Sequence, residues 1–243
     1  MKGSISSRPG AWPRIVWFLG RQQAIRLYDK HVRRQSREHA AQAWVLANAT
    51  SGSPQSVLET MDAFSRQHRW LQNVGPVKGA ILLQALRDAD ARRVLEIGSY
   101  CGYSATLIGA YLAGKGGQLT AIELSRRNAG IAREVTGHAG LAGTVTVRQG
   151  TLESEVGSLA GPFDVVFLDH WKDVYLPDLR RLEDAGLLRA GSIVVADNVG
   201  FFAVPEYLDH VRHGGRYRSA FHRATVEYQE QLEDGVEVSV FLG

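Results

Sequence analysis

From residue 92 onward the chain alternates short apolar runs with amphipathic stretches, and this alternation restricts its architecture more than any other feature. Residues 93–97, 118–124, 144–148, 163–168 and 192–196 read as strands. Residues 103–113, 125–138, 151–159, 177–188 and 205–211 read as the helices that follow them. Parallel neighbours need a crossover between them, commonly a helix, so repeating βα units predict a doubly wound, mostly parallel sheet. The last two strands, near 216–227 and 236–241, have no helical stretch between them. An antiparallel hairpin should therefore complete a seven-stranded α/β sheet.

Upstream lies a different region. Residues 1–13 mix Gly3, Pro9, Gly10 and Pro13 with serines and are expected to lack order. Residues 14–48 contain no proline and read as helix, with Ile15, Phe18, Leu19, Ile25, Tyr28 and Val32 at roughly helical spacing. The run Thr50-Ser51-Gly52-Ser53-Pro54 breaks the pattern, and Ser53 can cap a helix that starts at Pro54 and reaches about residue 69. Another helix is predicted over 76–87. These signals divide the chain into a basic extension, 1–53, partly disordered and then helical, and a folded body, 54–243.

Nine of the 28 Lys and Arg residues fall between Lys2 and Arg37, against Asp29 and Glu38 in the same region. The high isoelectric point thus belongs to the extension; the body is mildly acidic and carries no sign of nucleic-acid binding. Two readings of the basic helix at 14–48 stand side by side: peripheral contact with an anionic membrane through Arg and Lys with Trp12, Trp17 and Phe18 inserting, or a packing or dimer-forming extension with a solvated charged face. One cysteine, Cys101, excludes an internal disulfide and fits a reducing compartment. No apolar run is long enough to span a bilayer, and no secretory signal is recognisable. The expected location is cytoplasmic, with membrane association as the variant that the basic helix allows.

Two features mark a ligand end of the sheet. Glu96-Ile97-Gly98-Ser99-Tyr100-Cys101-Gly102-Tyr103-Ser104 joins the first strand to its helix, and its glycines let backbone approach a ligand closely. Glu123 ends the second strand, where an acidic residue commonly binds ribose hydroxyls in doubly wound folds. Together they favour a nucleoside cofactor without separating a nicotinamide dinucleotide from S-adenosylmethionine. The lack of a GxGxxG pyrophosphate cradle leans toward a cofactor without phosphates.

A third feature is acidic. Asp169 ends the fourth strand, and Asp197-Asn198 end the fifth. Neighbouring strand tips lie close together, and three oxygen ligands without cysteine favour a hard cation such as Mg2+. Lys172 follows Asp169 in the same loop; a lysine beside a dication gives up its proton more readily and can serve as general base. Trp70, Tyr100 and Trp171 are candidate flat walls for an aromatic ring.

These segments resemble the catechol O-methyltransferase family. The resemblance rests on 96–104, on Val166-Phe167-Leu168-Asp169-His170-Trp171-Lys172-Asp173 with Tyr175-Leu176-Pro177-Asp178, and on Ala196-Asp197-Asn198. Ser56-Val57-Leu58-Glu59, Trp70-Leu71-Gln72-Asn73-Val74-Gly75, Glu227-Tyr228 and Asp234-Gly235 extend it over about 54–243, which it identifies as an S-adenosylmethionine-dependent methyltransferase domain. It implies a Rossmann-like fold, S-adenosylmethionine and Mg2+ as cofactors, and a small-molecule catechol as substrate. It implies Asp169, Asp197 and Asn198 as metal ligands, Lys172 as base, and Glu227 as partner of the hydroxyl that is not methylated. Val74, Glu96, Gly98, Tyr100 and Ser104 would surround the methionine portion, and Glu123 with Leu124 the ribose. Gly150, Thr151, Glu153, Asp169, His170 and Trp171 would border the rest of the cofactor, the adenine included. Trp70, Phe202 and Val226 would join Asp169, Lys172, Asn198 and Glu227 around the substrate.

Four positions depart from that family's pattern. Gln72 stands where methionine is common, Glu153 where glutamine usually meets the adenine, Phe201-Phe202 where a proline-bearing segment borders the catechol, and Val226 where leucine is common. They preserve the chemistry but alter the pocket rim, which leaves open a related enzyme for larger vicinal diphenols of the flavonoid or caffeoyl type. A non-catalytic, partner-binding member of the fold is the other alternative, and the intact set Lys172, Asp169, Asp197, Asn198 and Glu227 speaks against it.

Overall fold

The computed structural model describes residues 11–29, 35–202 and 204–243. Four helices precede the sheet: α1 (Ala11–Tyr28), α2 (Arg37–Asn48), α3 (Pro54–Gln67) and α4 (Gly75–Asp88). The βα series follows as β1 (Arg93–Ile97), α5 (Tyr103–Ala113), β2 (Gln118–Glu123), α6 (Arg126–His138), β3 (Val145–Gln149) and α7 (Leu152–Glu155). It continues with β4 (Val165–Leu168), α8 (Tyr175–Asp184), β5 (Ile193–Ala196), α9 (Pro205–His213), β6 (Tyr217–Val226) and β7 (Gln229–Phe241).

The seven strands are ordered β3-β2-β1-β4-β5-β7-β6. The first five are parallel, and β7 runs antiparallel to both β5 and β6. The predicted doubly wound sheet with a terminal hairpin is thus the observed one. Each central strand is buried on both faces, and its side chains alternate between two cores. Val94, Val165, Phe167 and Val195 face the core shared with α3, α4, α5 and α6. Leu95, Ile97, Val166, Leu168, Val194 and Ala196 face the core shared with α8 and α9. Strands enclosed on both faces read as continuous apolar runs, which is why their positions are evident from sequence.

Several segments differ from the sequence expectation. Residues 14–48 are not one helix. Ser36 caps a separate α2 by accepting from the His39 amide, and the Arg37 side chain is buried against Gln22 of α1. Residues 11–13, expected to lack order, are helical, while 1–10 and 30–34 lie outside the described residues. The helix predicted over 151–159 shrinks to a four-residue α7 and a 3₁₀ turn (Val156–Ser158), in which Leu152 is the buried anchor. The extension does not stand apart. Glu38 of α2 accepts from the Tyr100 hydroxyl at 3.0 Å, and Gln42 donates to Glu134 at 2.6 Å.

Candidate active site

The sheet changes direction between β1 and β4: the chain winds from β1 outward to β3, then returns to the other side of β1. Ligands of open α/β sheets bind at such a switch point, outside the carboxyl ends of the strands. Here the loops after β1 and β4 nearly touch. Gly98 holds φ +92, and a Cβ there would lie 2.5 Å from the Asp169 carbonyl oxygen. Glycine at this position is therefore required for the two loops to meet. Among non-glycine residues, Asp90, Tyr100, Asn198 and Tyr228 also hold positive φ, at +43, +45, +56 and +58, and all but Asp90 lie in or next to the loops of this site. Such strain gathers where surrounding structure enforces a functional geometry.

On the β1 side, Glu96 points toward the α4–α5 layer and is fully buried. Neither carboxylate oxygen has a hydrogen-bond partner of good geometry among the described residues, although the Ser104 hydroxyl is close enough to favour the ionised form. Burial pushes its pKa up to about 8. Ser99 Oγ is likewise buried without a partner. Orphaned buried polar atoms are rare in native structures, and a cluster of them at a switch point suits a polar ligand group. Glu123 is placed differently. Its oxygens accept from the Tyr100 and Ser125 amides, each at 2.9 Å, which fixes the loop. Val74 is buried, whereas Leu124, Thr151 and Glu153 lie on the exposed rim beside Gly150.

The β4 loop carries a relay across the rim. His170 Nε2 lies 2.9 Å from Asp178, whose other oxygen accepts from Arg181 at 2.9 Å; Arg181 in turn reaches Glu153 at 3.1 Å. The carboxylate at 153 is therefore held by a guanidinium. Burial lowers the His170 pKa against the pull of Asp178, and its Nδ1 is enclosed without a partner. Trp171 is 75% exposed.

The acidic cluster is the centre of the site. Register places Leu168 opposite Ala196, so Asp169 and Asp197 leave adjacent strand ends together. Lys172 Nζ donates to Asp169 at 3.2 Å and to the Tyr175 hydroxyl at 2.7 Å. That hydroxyl donates to the Leu168 carbonyl at 2.7 Å, with the Asp197 carbonyl at 3.1 Å. Sequence reasoning gave no role to Lys78, which rises from α4 into the cluster, 1% exposed, and contacts Asp197 at 2.8 Å, Asp234 at 3.0 Å and Glu227. Asn198 donates its side-chain amide to Glu227 at 3.1 Å and Asp234 at 2.8 Å, which leaves its carbonyl oxygen available. Asp197, Glu227 and Asp234 offer oxygens within 4.8 Å of one another; Asp169 is outside that trio but close enough to feel Asp197 and Glu227. Burial raises Asp169 and Glu227 to about 7, against the pull of Lys172 and Lys78 respectively.

Trp70 and Val226, expected from the sequence to border the substrate, belong to a small apolar cluster. Val226 packs with Phe18, Leu232, Trp70 and Phe201, and Trp70 Nε1 donates to the Glu227 carbonyl at 2.8 Å. Phe202, which the sequence placed at the rim, is 43% exposed and meets the site through Phe201, edge-on at 5.0 Å.

This fold and this site define a class. The chain belongs to the O-methyltransferase family, whose model matches residues 48–214. Within that family it is similar to catechol O-methyltransferases. It is 43% identical over 204 residues to catechol O-methyltransferase B of Danio rerio, covering 82% of this chain and 76% of that one. It is 38% identical over 213 residues to catechol O-methyltransferase of Bos taurus, covering 86% and 78%. In fold it is similar to the O-methyltransferase TomG from Streptomyces achromogenes, solved in complex with SAM. The TM-score is 0.66 and the identity 24%, covering 76% of this chain and 90% of that one. Among the described residues no helix is long and apolar enough to cross a membrane.

Proposed function

We propose that this chain transfers the methyl group of S-adenosylmethionine to one hydroxyl of a catechol in a site that also holds Mg2+. One observation carries the reading: four buried or nearly buried carboxylates, Asp169, Asp197, Glu227 and Asp234, face two ammoniums, Lys78 and Lys172. The fully ionised pocket is two charges short of balance, and all its free ligand atoms are oxygens. A hard dication fits that deficit. Asp169, Asp197 and the Asn198 carbonyl would hold it. Such an ion would supply Lewis-acid stabilisation of the acceptor's phenolate form.

The chain's own groups would do the rest. Lys172, fixed by Asp169 and Tyr175, would take the phenol proton. Glu227 would accept from the second hydroxyl. The phenolate oxygen forms a bond to the sulfonium methyl carbon as the carbon–sulfur bond breaks, and the sulfur keeps the electron pair. Holding the two reactants in line would supply much of the rate. Glu96 would meet the cofactor's α-ammonium, Glu123 the ribose hydroxyls, and the Glu153 carboxylate the adenine amino group beside His170 and Trp171.

Labelled S-adenosylmethionine incubated with Mg2+ and a panel of diphenols tests the reading. Label should appear on catechols, vanish with a chelator, and stay absent from monophenols of the same ring. Equal labelling of monophenols, or turnover that a chelator leaves intact, would overturn it.

Glu96 gives a second test. Its pairing with an ammonium requires the carboxylate, yet burial keeps the empty site protonated up to about pH 8. Cofactor binding between about pH 6 and 7.5 should therefore release a proton, and affinity should rise with pH toward 8. The sign agrees with folding: the folded empty chain binds this proton more tightly than the unfolded chain, so its stability falls as pH climbs from about 4.5 to about 8. Glu96→Gln should weaken cofactor binding roughly 10- to 100-fold, the worth of a charged hydrogen bond, and abolish proton release. Titration calorimetry in two buffers of different ionisation enthalpy reads both; unchanged proton release in the variant would remove Glu96 from this role.

A further inference from the structure

We infer that Phe18, carried by α1 of the N-terminal extension, is a wall of the acceptor pocket and limits the size of diphenol that fits. The inference rests on the acceptor site proposed above. Phe18 is 3% exposed, although its neighbours Val16, Trp17 and Gly20 are exposed, so α1 turns the Phe18 ring inward. It packs against Trp70, Phe201, Val226 and Leu232. Its ring meets Trp70 edge-on, with centroids 5.2 Å apart and planes at 86°.

Those partners are the rim itself. Trp70 is fixed by its hydrogen bond to the Glu227 carbonyl, Val226 precedes Glu227, and Phe201 lies three residues beyond Asn198. Phe18 therefore closes the apolar side of a pocket whose polar side is Asn198 and Glu227.

The placement of α1 is not a loose contact. Arg37 donates to Gln22 of α1 at 3.3 Å and to the Trp70 carbonyl at 3.1 Å, and Arg69 pairs with Asp29 just beyond α1 at 3.6 Å. Both ties converge on residues 69–70, the same two residues that bring Trp70 to the rim. A segment outside the family match at 48–214 thus supplies one side of the acceptor pocket. Apolar walls discriminate by shape, and one ring removed from such a wall changes the preference between two substrates rather than the chemistry.

The test compares Phe18→Ala and Phe18→Trp in the full chain. The quantity read is kcat/KM for a caffeic acid ester divided by kcat/KM for unsubstituted catechol, with S-adenosylmethionine and Mg2+ present. We expect Phe18→Ala to raise this ratio about tenfold and Phe18→Trp to lower it, within the range that hydrophobic pocket changes span. Opposite shifts distinguish a wall from a residue that merely anchors α1, since loosening the helix would move both variants the same way. If Phe18→Ala fails to fold, Phe18→Leu takes its place with a smaller rise. A ratio unchanged, or moved in one direction by both substitutions, overturns the inference and leaves the catechol reading intact. Failure of the unmodified chain to methylate either diphenol overturns both.

Discussion

Lys172→Ala is expected to lower kcat by about 10²- to 10⁴-fold, the usual worth of a positioned general base, and to leave cofactor affinity nearly intact. The geometry explains both halves. Lys172 is bound to Asp169 and Tyr175 on the β4 loop, whereas the orphaned Glu96 and Ser99 that would receive the methionine portion belong to β1 and the loop after it. Lys172→Arg separates two roles that alanine cannot. If the residue supplied only positive charge, arginine would restore much of the rate. A guanidinium does not release its proton in the working range, so as a base it should be about as poor as alanine. The acceptor should agree, with rate recovering in both variants on a more acidic, already ionised nitrocatechol. An arginine variant that turns over at the rate of the unmodified chain would remove Lys172 as the base.

The parallel part of the fold was legible because its strands are enclosed on both faces and so are written as apolar runs. The edge was less so. Strand β7 begins at Gln229, not near 236, because residues 229–235 are mostly polar and pair with β6 through backbone bonds. Sequence alternation cannot report a strand held that way. The break between α1 and α2 was hidden for a related reason: Arg37 reads as a solvated charge, yet it is buried between Gln22 and the Trp70 carbonyl.

Within the site, Asp169, Asp197 and Asn198 announced themselves as polar residues ending adjacent apolar strands. Lys78 did not, since most helical lysines face water. A signal was present all the same. Lys78 shares its helix face with Leu82, Ala85 and Leu86, all buried, and a lysine in that stripe must have carboxylates waiting for it. Asp234 shows the complementary case: the resemblance picked out Asp234-Gly235, but only the fold brings that carboxylate to Lys78, Asn198 and the Phe201 amide.

Lys78→Met should destabilise the chain by about 3–5 kcal/mol, the cost of leaving buried charges without their partner. For a protein of this size that is a fall in Tm of roughly 6–20 °C. Burial alone would lower the Lys78 pKa, but Asp197, Glu227 and Asp234 outweigh it and hold the ammonium well above its ordinary value. Methionine fills similar volume and removes that charge, so the three carboxylates must then repel one another or take up protons. Burial already raises Asp197 and Glu227 above ordinary carboxylate values. Losing Lys78 raises them further, and the folded state then binds more protons than the unfolded one up to a higher pH. Stability of the variant should therefore fall more steeply than that of the unmodified chain as pH rises from about 4 to 8. Two additions should restore part of it. Asp234→Asn in the same chain removes one of the stranded charges, so the double variant should melt above the single one. Mg2+ should also raise the Tm at pH 8 by mass action if, as proposed, the folded acidic pocket binds it and the unfolded chain does not. Melting followed by circular dichroism at pH 5 and pH 8 decides the matter. A Tm close to that of the unmodified chain at pH 8 without added cation would mean that the carboxylates are already neutral there, and the charge deficit from which Mg2+ was argued would not exist.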